Sequence, residues 1–248
     1  MALELTLLFV FLIVLIASIL SGAAGFGFGL ISIPALLLVY DPVTVITIGR
    51  VVAVVMAVVI MADTWRHVAF RTVVGLIPAS LLGTVLGVAV LDVLSAGTIK
   101  LIASLVALLF AFILIQANTS LLPATPWLTG LVGLISGTLS TSTGLPGPPV
   151  VLLFTARGMA APVFRGSIAA YFVVLNAGGL LALLAPGVAG REELLVAITV
   201  SPVAVLGTWI GQRLGRRVSQ SAFRRFTLGL LIVTATAGAV SALLALLR

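Results

Sequence analysis

Apolar residues run along the chain in long blocks, and polar residues collect in the short connections between them. The blocks lie at roughly 3–20, 26–40, 43–62, 72–91, 98–116, 127–143, 145–156, 162–184, 193–212 and 226–247. A helix needs about 20 residues to cross the hydrocarbon core of a membrane at about 1.5 Å per residue. The blocks that start at 26 and 145 are too short to do so alone, and both open on glycine and proline. In SGAAGFGFGLISIP, Ser21 to Pro34, four glycines stand among fourteen residues directly after a block that should have continued as a helix. The pattern predicts helices throughout, two of them interrupted.

Composition turns this pattern into a fold class. A chain of 248 residues with 62% hydrophobic and 8% charged residues cannot hide that much apolar surface in a water-soluble core. The expected fold is an all-α polytopic membrane protein, a single membrane domain over residues 1–248, because no polar stretch is long enough to fold separately. The first block is expected to be mature structure rather than a cleaved signal, since its leader MALEL carries Glu4 and no positive residue. With no cysteine, neither a disulfide framework nor a thiolate metal site is open to the chain. The net charge of +7 sits in connections rather than along a stripe with aromatics, which points to the lipid bilayer as partner and not to nucleic acid.

If the chain changes side after every block, one side collects Arg66, Arg71, Arg157, Arg213, Arg216, Arg217, Arg224 and Arg225. The other collects Lys100, Arg191 and Arg248 with Glu4, Asp41, Asp92, Glu192 and Glu193. Positive residues favour the cytoplasmic side, so both termini are expected outside. Pairing each short block with its predecessor as a re-entrant hairpin leaves this assignment unchanged.

The chain also repeats. SGAAGFGFGLISIPALLLVYDPVTVITIGR aligns without gaps on SGTLSTSTGLPGPPVVLLFTARGMAAPVFR at an offset of 115, pairing Ser21 with Ser136, Gly22 with Gly137, Gly29 with Gly144, Leu30 with Leu145, Pro34 with Pro149 and Arg50 with Arg165. Further on the offset becomes 124, and IPASLLGTVLG lies on SPVAVLGTWIG, pairing Pro78 with Pro202, Gly83 with Gly207, Thr84 with Thr208 and Gly87 with Gly211. The nine added residues fall in the APGVAGREE connection. Leucine and valine coincide easily in apolar blocks; glycine, proline, threonine and arginine do not. Residues 1–120 and 121–248 are therefore expected to be two copies, each with three full crossings and one hairpin. An odd number of crossings sets the second copy upside down, as an inverted-topology repeat. Inverted repeats with Gly/Pro-interrupted or re-entrant helices near the midplane point to secondary transporters that work by alternating access.

The duplicated Gly-rich motif, GFGFG at Gly25 to Gly29 and its counterpart within Ser136 to Pro149, resembles that of the TauE/SafE sulfite exporter family, and the resemblance spans nearly the whole chain. In that family the first copy is often a run of glycines followed by proline; here Phe26 and Phe28 are interposed. The resemblance implies a carrier of sulfite, sulfonates or related small sulfur-containing oxyanions, commonly outward, across the bacterial cell inner membrane. On that reading the chain is multi-pass and both termini are periplasmic.

A helix that starts inside a membrane leaves amides unpaired, at high cost in hydrocarbon unless protein, water or ligand meets them. An oxyanion meets them well. Short helices beginning near Leu30 and Leu145 would aim amides and positive dipole ends at Gly25, Phe26, Gly27, Phe28 and Gly29 in one copy, and at Gly144, Pro146 and Gly147 in the other. Pro146, Pro148 and Pro149 suit a first helical turn, where no intrahelical N–H is needed. Ser140, Thr141, Ser142 and Thr143 are expected to add hydroxyl donors that glycine lacks.

Arg50 lies seven residues into an otherwise apolar block, where a charge costs about 2.5 to 3.5 kcal/mol on the insertion scale. No carboxylate lies in the middle of a block to pair with it, so an anionic substrate and snorkelling to the interface are the two readings. Arg165 starts closer to its connection, which favours snorkelling there. Asn176, deep in YFVVLNAGG, suits either an interhelical hydrogen bond or the site. Gly83, Gly87, Gly207 and Gly211 are read as packing positions. No catalytic residue, metal site or cofactor is expected: GFGFG lacks the strand and helix of a dinucleotide fingerprint, and the single histidine, His67, sits in a connection, away from any intramembrane serine. No carboxylate offers itself as a proton relay. A channel or scaffold without alternating access would share the hydropathy but needs paired interruptions less, and a homo-oligomer is compatible with either reading.

Overall fold

The computed structural model describes residues 2–116, 125–215 and 220–246, and every regular element among them is helical. Arg216, Arg217 and Arg248 fall outside the described residues. In chain order the α-helices are α1 (Ala2–Ala24), α2 (Phe28–Leu36), α3 (Pro42–Thr64), α4 (Phe70–Val93), α5 (Ala96–Gln116), α6 (Pro126–Ser142), α7 (Gly147–Ala156), α8 (Ala161–Leu184), α9 (Arg191–Leu214) and α10 (Gln220–Leu246). One 3-10 turn at Trp65–His67 follows α3. Among the described residues six helical stretches are long and apolar enough to cross a membrane, beginning at Thr6, Pro42, Phe70, Ala96, Ala161 and Arg191. The molecule is an all-α polytopic membrane protein. Its outer faces carry bare Leu82, Val85 and Leu86 on α4 and Leu195 and Ile198 on α9, which is what a lipid-facing surface requires.

Small residues set the packing. Lipid tails are as apolar as leucine, so helices in a membrane are held by close backbone approach rather than by exclusion of water. Gly83 and Gly87 of α4 face Gly133 and Gly137 of α6, and a Cβ on any of the four would meet a backbone carbonyl of the partner helix. Gly22 of α1 lies against the Thr208 carbonyl of α9, and Gly207 and Gly211 of α9 lie against the Leu15 and Ile19 carbonyls of α1. The four glycines read as packing positions do pack.

The close pairs join the two halves. Helix α1 packs on α9 and α6 on α4; α3 and α8 pack on each other and on α9 and α4 respectively; α5 packs on α10. Each of these pairings has its counterpart when the halves are exchanged; the packing of α2 on α10 and α5 has no comparable counterpart at α7. Buried Val14, Ile33, Ile48, Val52, Phe154 and Tyr171 make one continuous core across both.

A side-chain cap fixes where α3 begins, and with it the depth of Arg50 two turns further on. Asp41 is the cap, accepting from the Thr44 amide at 3.0 Å and the Thr44 hydroxyl at 2.6 Å, with Pro42 in the first turn. Partial burial pushes the Asp41 carboxyl up, but the hydrogen bonds from Thr44 and the nearby amides outweigh it and hold the group below its ordinary value.

Candidate functional site between two helix breaks

Both interruptions are real, and both turn on left-handed glycine. Gly25 has φ 88°, Gly27 φ 102° and Gly144 φ 76°, a region that costs a residue with a Cβ roughly 1–2 kcal/mol. The first break falls at Gly25 and not at Ser21, because α1 runs on to Ala24 with Gly22 pressed onto α9. Helix α2 starts at Phe28, and α7 starts at Gly147 behind Pro146, with Pro in its first turn. The breaks touch: a Cβ on Gly29 would lie 2.9 Å from the Gly144 carbonyl.

Helices α6 and α7 form a hairpin. Arg157 Nη2, at the end of α7, donates at 2.6 Å to Thr129 Oγ1, near the start of α6. At about 1.5 Å per residue α6 climbs roughly 20 Å from that level and α7 returns by roughly 15 Å. Both arms are shorter than the roughly 30 Å of a hydrocarbon core.

A cavity of about 50 Å³ lies between the breaks. One water occupies about 10–15 Å³ on this measure, so there is room for roughly four, or for one anion of comparable bulk. Gly25, Gly27, Phe28, Gly29 and Leu30 form one wall, and Gly144, Pro146 and Gly147 another. The first hydrogen bond within α2 runs from the Ile31 amide to the Gly27 carbonyl. The amides of Phe28, Gly29 and Leu30 are thus left outside the helical ladder, and all three residues face the cavity. Pro148 and Pro149 have no N–H, so α7 presents fewer donors than α2.

The expected site residues divide. Gly25, Gly27, Phe28, Gly29, Gly144, Pro146, Gly147 and Asn176 converge on the cavity. Asn176 Nδ2 donates to Phe172 O one turn back at 2.9 Å, so no interhelical bond uses it. Phe26 packs edge-on against Phe164, ring centroids 5.7 Å apart. The last turn of α6 includes Ser140, Thr141 and Ser142, and this extra helix redirects the hydroxyls. Ser142 donates to Thr138 O at 2.8 Å and Thr143 to Leu139 O at 2.7 Å, the usual back-bond of hydroxyl side chains in a helix. Ser140 Oγ is buried without a hydrogen-bond partner.

The arginines run inward, not to the interface. Arg50 is 1% exposed. Its Nη2 donates at 2.5 Å to Thr141 Oγ1, and its Nη1 occupies the place a Cβ would take at Gly179. Nε and Nη1 are buried with no hydrogen-bond partner. Arg165 Nη2 donates to the Gly22 carbonyl at 2.9 Å, and its stem lies against Gly25. Each arginine thus crosses to the interrupted helix of the other copy. Arg50 is not itself a lining residue, although its helix neighbours Gly49 and Ala53 are; its head group lies against Thr141 and Gly179.

Sequence reasoning missed the α3 wall, Gly49, Ala53, Met56, Ala57 and Ile60. A signal was present, for Gly49, Ala53 and Ala57 repeat small residues every four positions along one helix face. Ser21, Ala169 and Phe172 also line the cavity; no pattern marks the last two.

A bundle of membrane-crossing helices enclosing a small cavity between two interrupted helices is the architecture of a membrane transport protein. The family model for the sulfite exporter TauE/SafE matches residues 10–237. The chain belongs to that family, one of multi-pass membrane transporters. Comparisons with curated proteins and with solved structures give no match.

Proposed function

We propose that this protein is a secondary transporter that exports sulfite, a sulfonate or a related sulfur-containing oxyanion across a bacterial cell inner membrane by alternating access. The observation that carries the reading is the cavity of about 50 Å³ lying between the two breaks, with three amides at its α2 wall outside any helical ladder. A compact oxyanion matches that volume, and the amides suit its charge. The unpartnered Nε and Nη1 of Arg50 add a buried positive charge on α3, the helix whose Gly49, Ala53, Met56 and Ala57 line the cavity.

Two further observations support the mechanism. The main helix pairings, α1 with α9 and α4 with α6, α3 with α9 and α8 with α4, interchange between residues 1–120 and 121–248, as they would in a repeat. Positive residues gather at Arg66, Arg71, Arg157 and Arg213, which argues for periplasmic termini. The test is exchange of labelled sulfite in proteoliposomes, competed by thiosulfate, sulfoacetate and simple carboxylates. Saturable counterflow, with sulfite favoured over the bulkier sulfoacetate, is the expected result. Flux that never saturates and shows no counterflow would mean a channel.

A further inference from the structure

At one cavity-lining position the first copy has methionine where the second has tyrosine. At the offset of 115, Ser21 and Met56 of the first copy correspond to Ser136 and Tyr171 of the second. Ser21 and Met56 line the cavity. Their counterparts are closed on each other: Tyr171 Oη donates to Ser136 Oγ at 2.8 Å, and Ser136 Oγ donates onward to the Pro146 carbonyl at 2.6 Å. Ser80 Oγ of α4 lies 2.9 Å from Tyr171 Oη and also within reach of its own helix at Leu76 O, 2.7 Å away. Tyr171 and Ser136 are 0% exposed and Ser80 1%. A closed chain of hydroxyls ending on the second break therefore stands where the first copy has open space.

We propose that Ser80, Ser136 and Tyr171 form a second oxyanion-binding site, the counterpart of the cavity, which opens when the carrier faces the opposite side of the membrane. The inference rests on the alternating-access reading. If the two copies exchange conformations, the open place at Ser21 and Met56 closes, and the closed place at Ser136 and Tyr171 opens. Tyr171 Oη and Ser136 Oγ then lose each other and the Pro146 carbonyl as partners, which leaves Ser136 without an acceptor and Tyr171 with Ser80 alone. An oxyanion such as sulfite supplies several. The same anion would be held by backbone amides and apolar walls on one face, and by hydroxyls on the other. Phenylalanine would fill nearly the same volume at position 171, so packing alone does not call for the phenol oxygen.

The experiment measures the half-saturating sulfite concentration separately in right-side-out and inverted membrane vesicles, for the unaltered protein, Tyr171→Phe and Ser136→Ala. Loss of one hydrogen bond to a charged ligand should shift the ratio of the two concentrations by roughly tenfold. Merely structural damage lowers the rate from both faces and leaves the ratio alone, so an unchanged ratio in the variants overturns the inference. Should Tyr171→Phe fail to accumulate, Ser136→Ala decides by the same criterion. An unaltered protein with no saturable uptake from either face would sink the carrier reading, and this inference with it.

Discussion

Arg50 was legible as a problem but not as an answer. A charge seven residues into an apolar block is visible in the sequence; its partner Thr141 is 91 positions away, and only the folded chain brings them together. A buried cation with two idle nitrogens carries a desolvation cost that its one hydrogen bond to Thr141 does not offset, and an apolar side chain of similar size removes that cost. Arg50→Met should therefore raise, or at least keep, the melting temperature in detergent while cutting sulfite exchange by tenfold or more. A variant that lost both together would point to a structural role instead. Gly179→Ala should reproduce the transport defect, because the new Cβ takes the place of Nη1 and drives the guanidinium away from Thr141. At the start of the same helix, Asp41→Ala should lower stability by about 1 kcal/mol through loss of the cap. Since the Asp41 carboxyl is held below its ordinary value, its contribution is present above the usual carboxylate range. It fades as pH falls through the folded value, and a comparison of the two proteins across acidic pH should show the difference shrinking.

At the scale of helices, glycine and proline announced both interruptions, and the repeat announced that they form a pair. Their edges were less legible. Ser142 and Thr143 look like ligand donors in a loop, but one more turn of α6 gives their hydroxyls the carbonyls of Thr138 and Leu139 instead. Gly22 looks like part of a break and is a packing contact. The distinction lies in what surrounds each glycine, which a linear sequence does not record. Gly137→Ala drives a Cβ into the Ser80 carbonyl and should destabilise by roughly 1–3 kcal/mol, as overpacking does. Gly130→Ala, on the same helix with nothing within 4 Å, should be neutral or stabilising by up to about 1 kcal/mol, since alanine holds a helix better. Thermal unfolding of the two variants side by side separates these effects.

For the molecule as a whole, composition alone was enough for the class of fold, whereas the partnering of α1 with α9 and of α4 with α6 left no trace in hydropathy. Close helix pairs are chosen by matching of small residues across the sequence, and many such matches exist in a chain with 25 glycines. Orientation can be checked cleanly because the chain has no cysteine of its own. An impermeant maleimide should label Asp92→Cys and Glu192→Cys in intact spheroplasts, and Arg71→Cys and Ala160→Cys only in inverted vesicles. Labelling of Asp92→Cys and Arg71→Cys from one side would contradict the crossing assigned to α4.

The glycine contacts that join α1 to α9 and α4 to α6 have a mechanical meaning. The molecule is not two hinged halves but two clamps, each with one jaw from either copy, shut at backbone distance. On the proposed alternating-access mechanism, a swing between inward and outward postures would have to carry a whole clamp, because sliding one jaw past the other would drive carbonyls into Cα atoms. The rocking bodies would then be of mixed parentage, and a lesion in one copy would be felt in both.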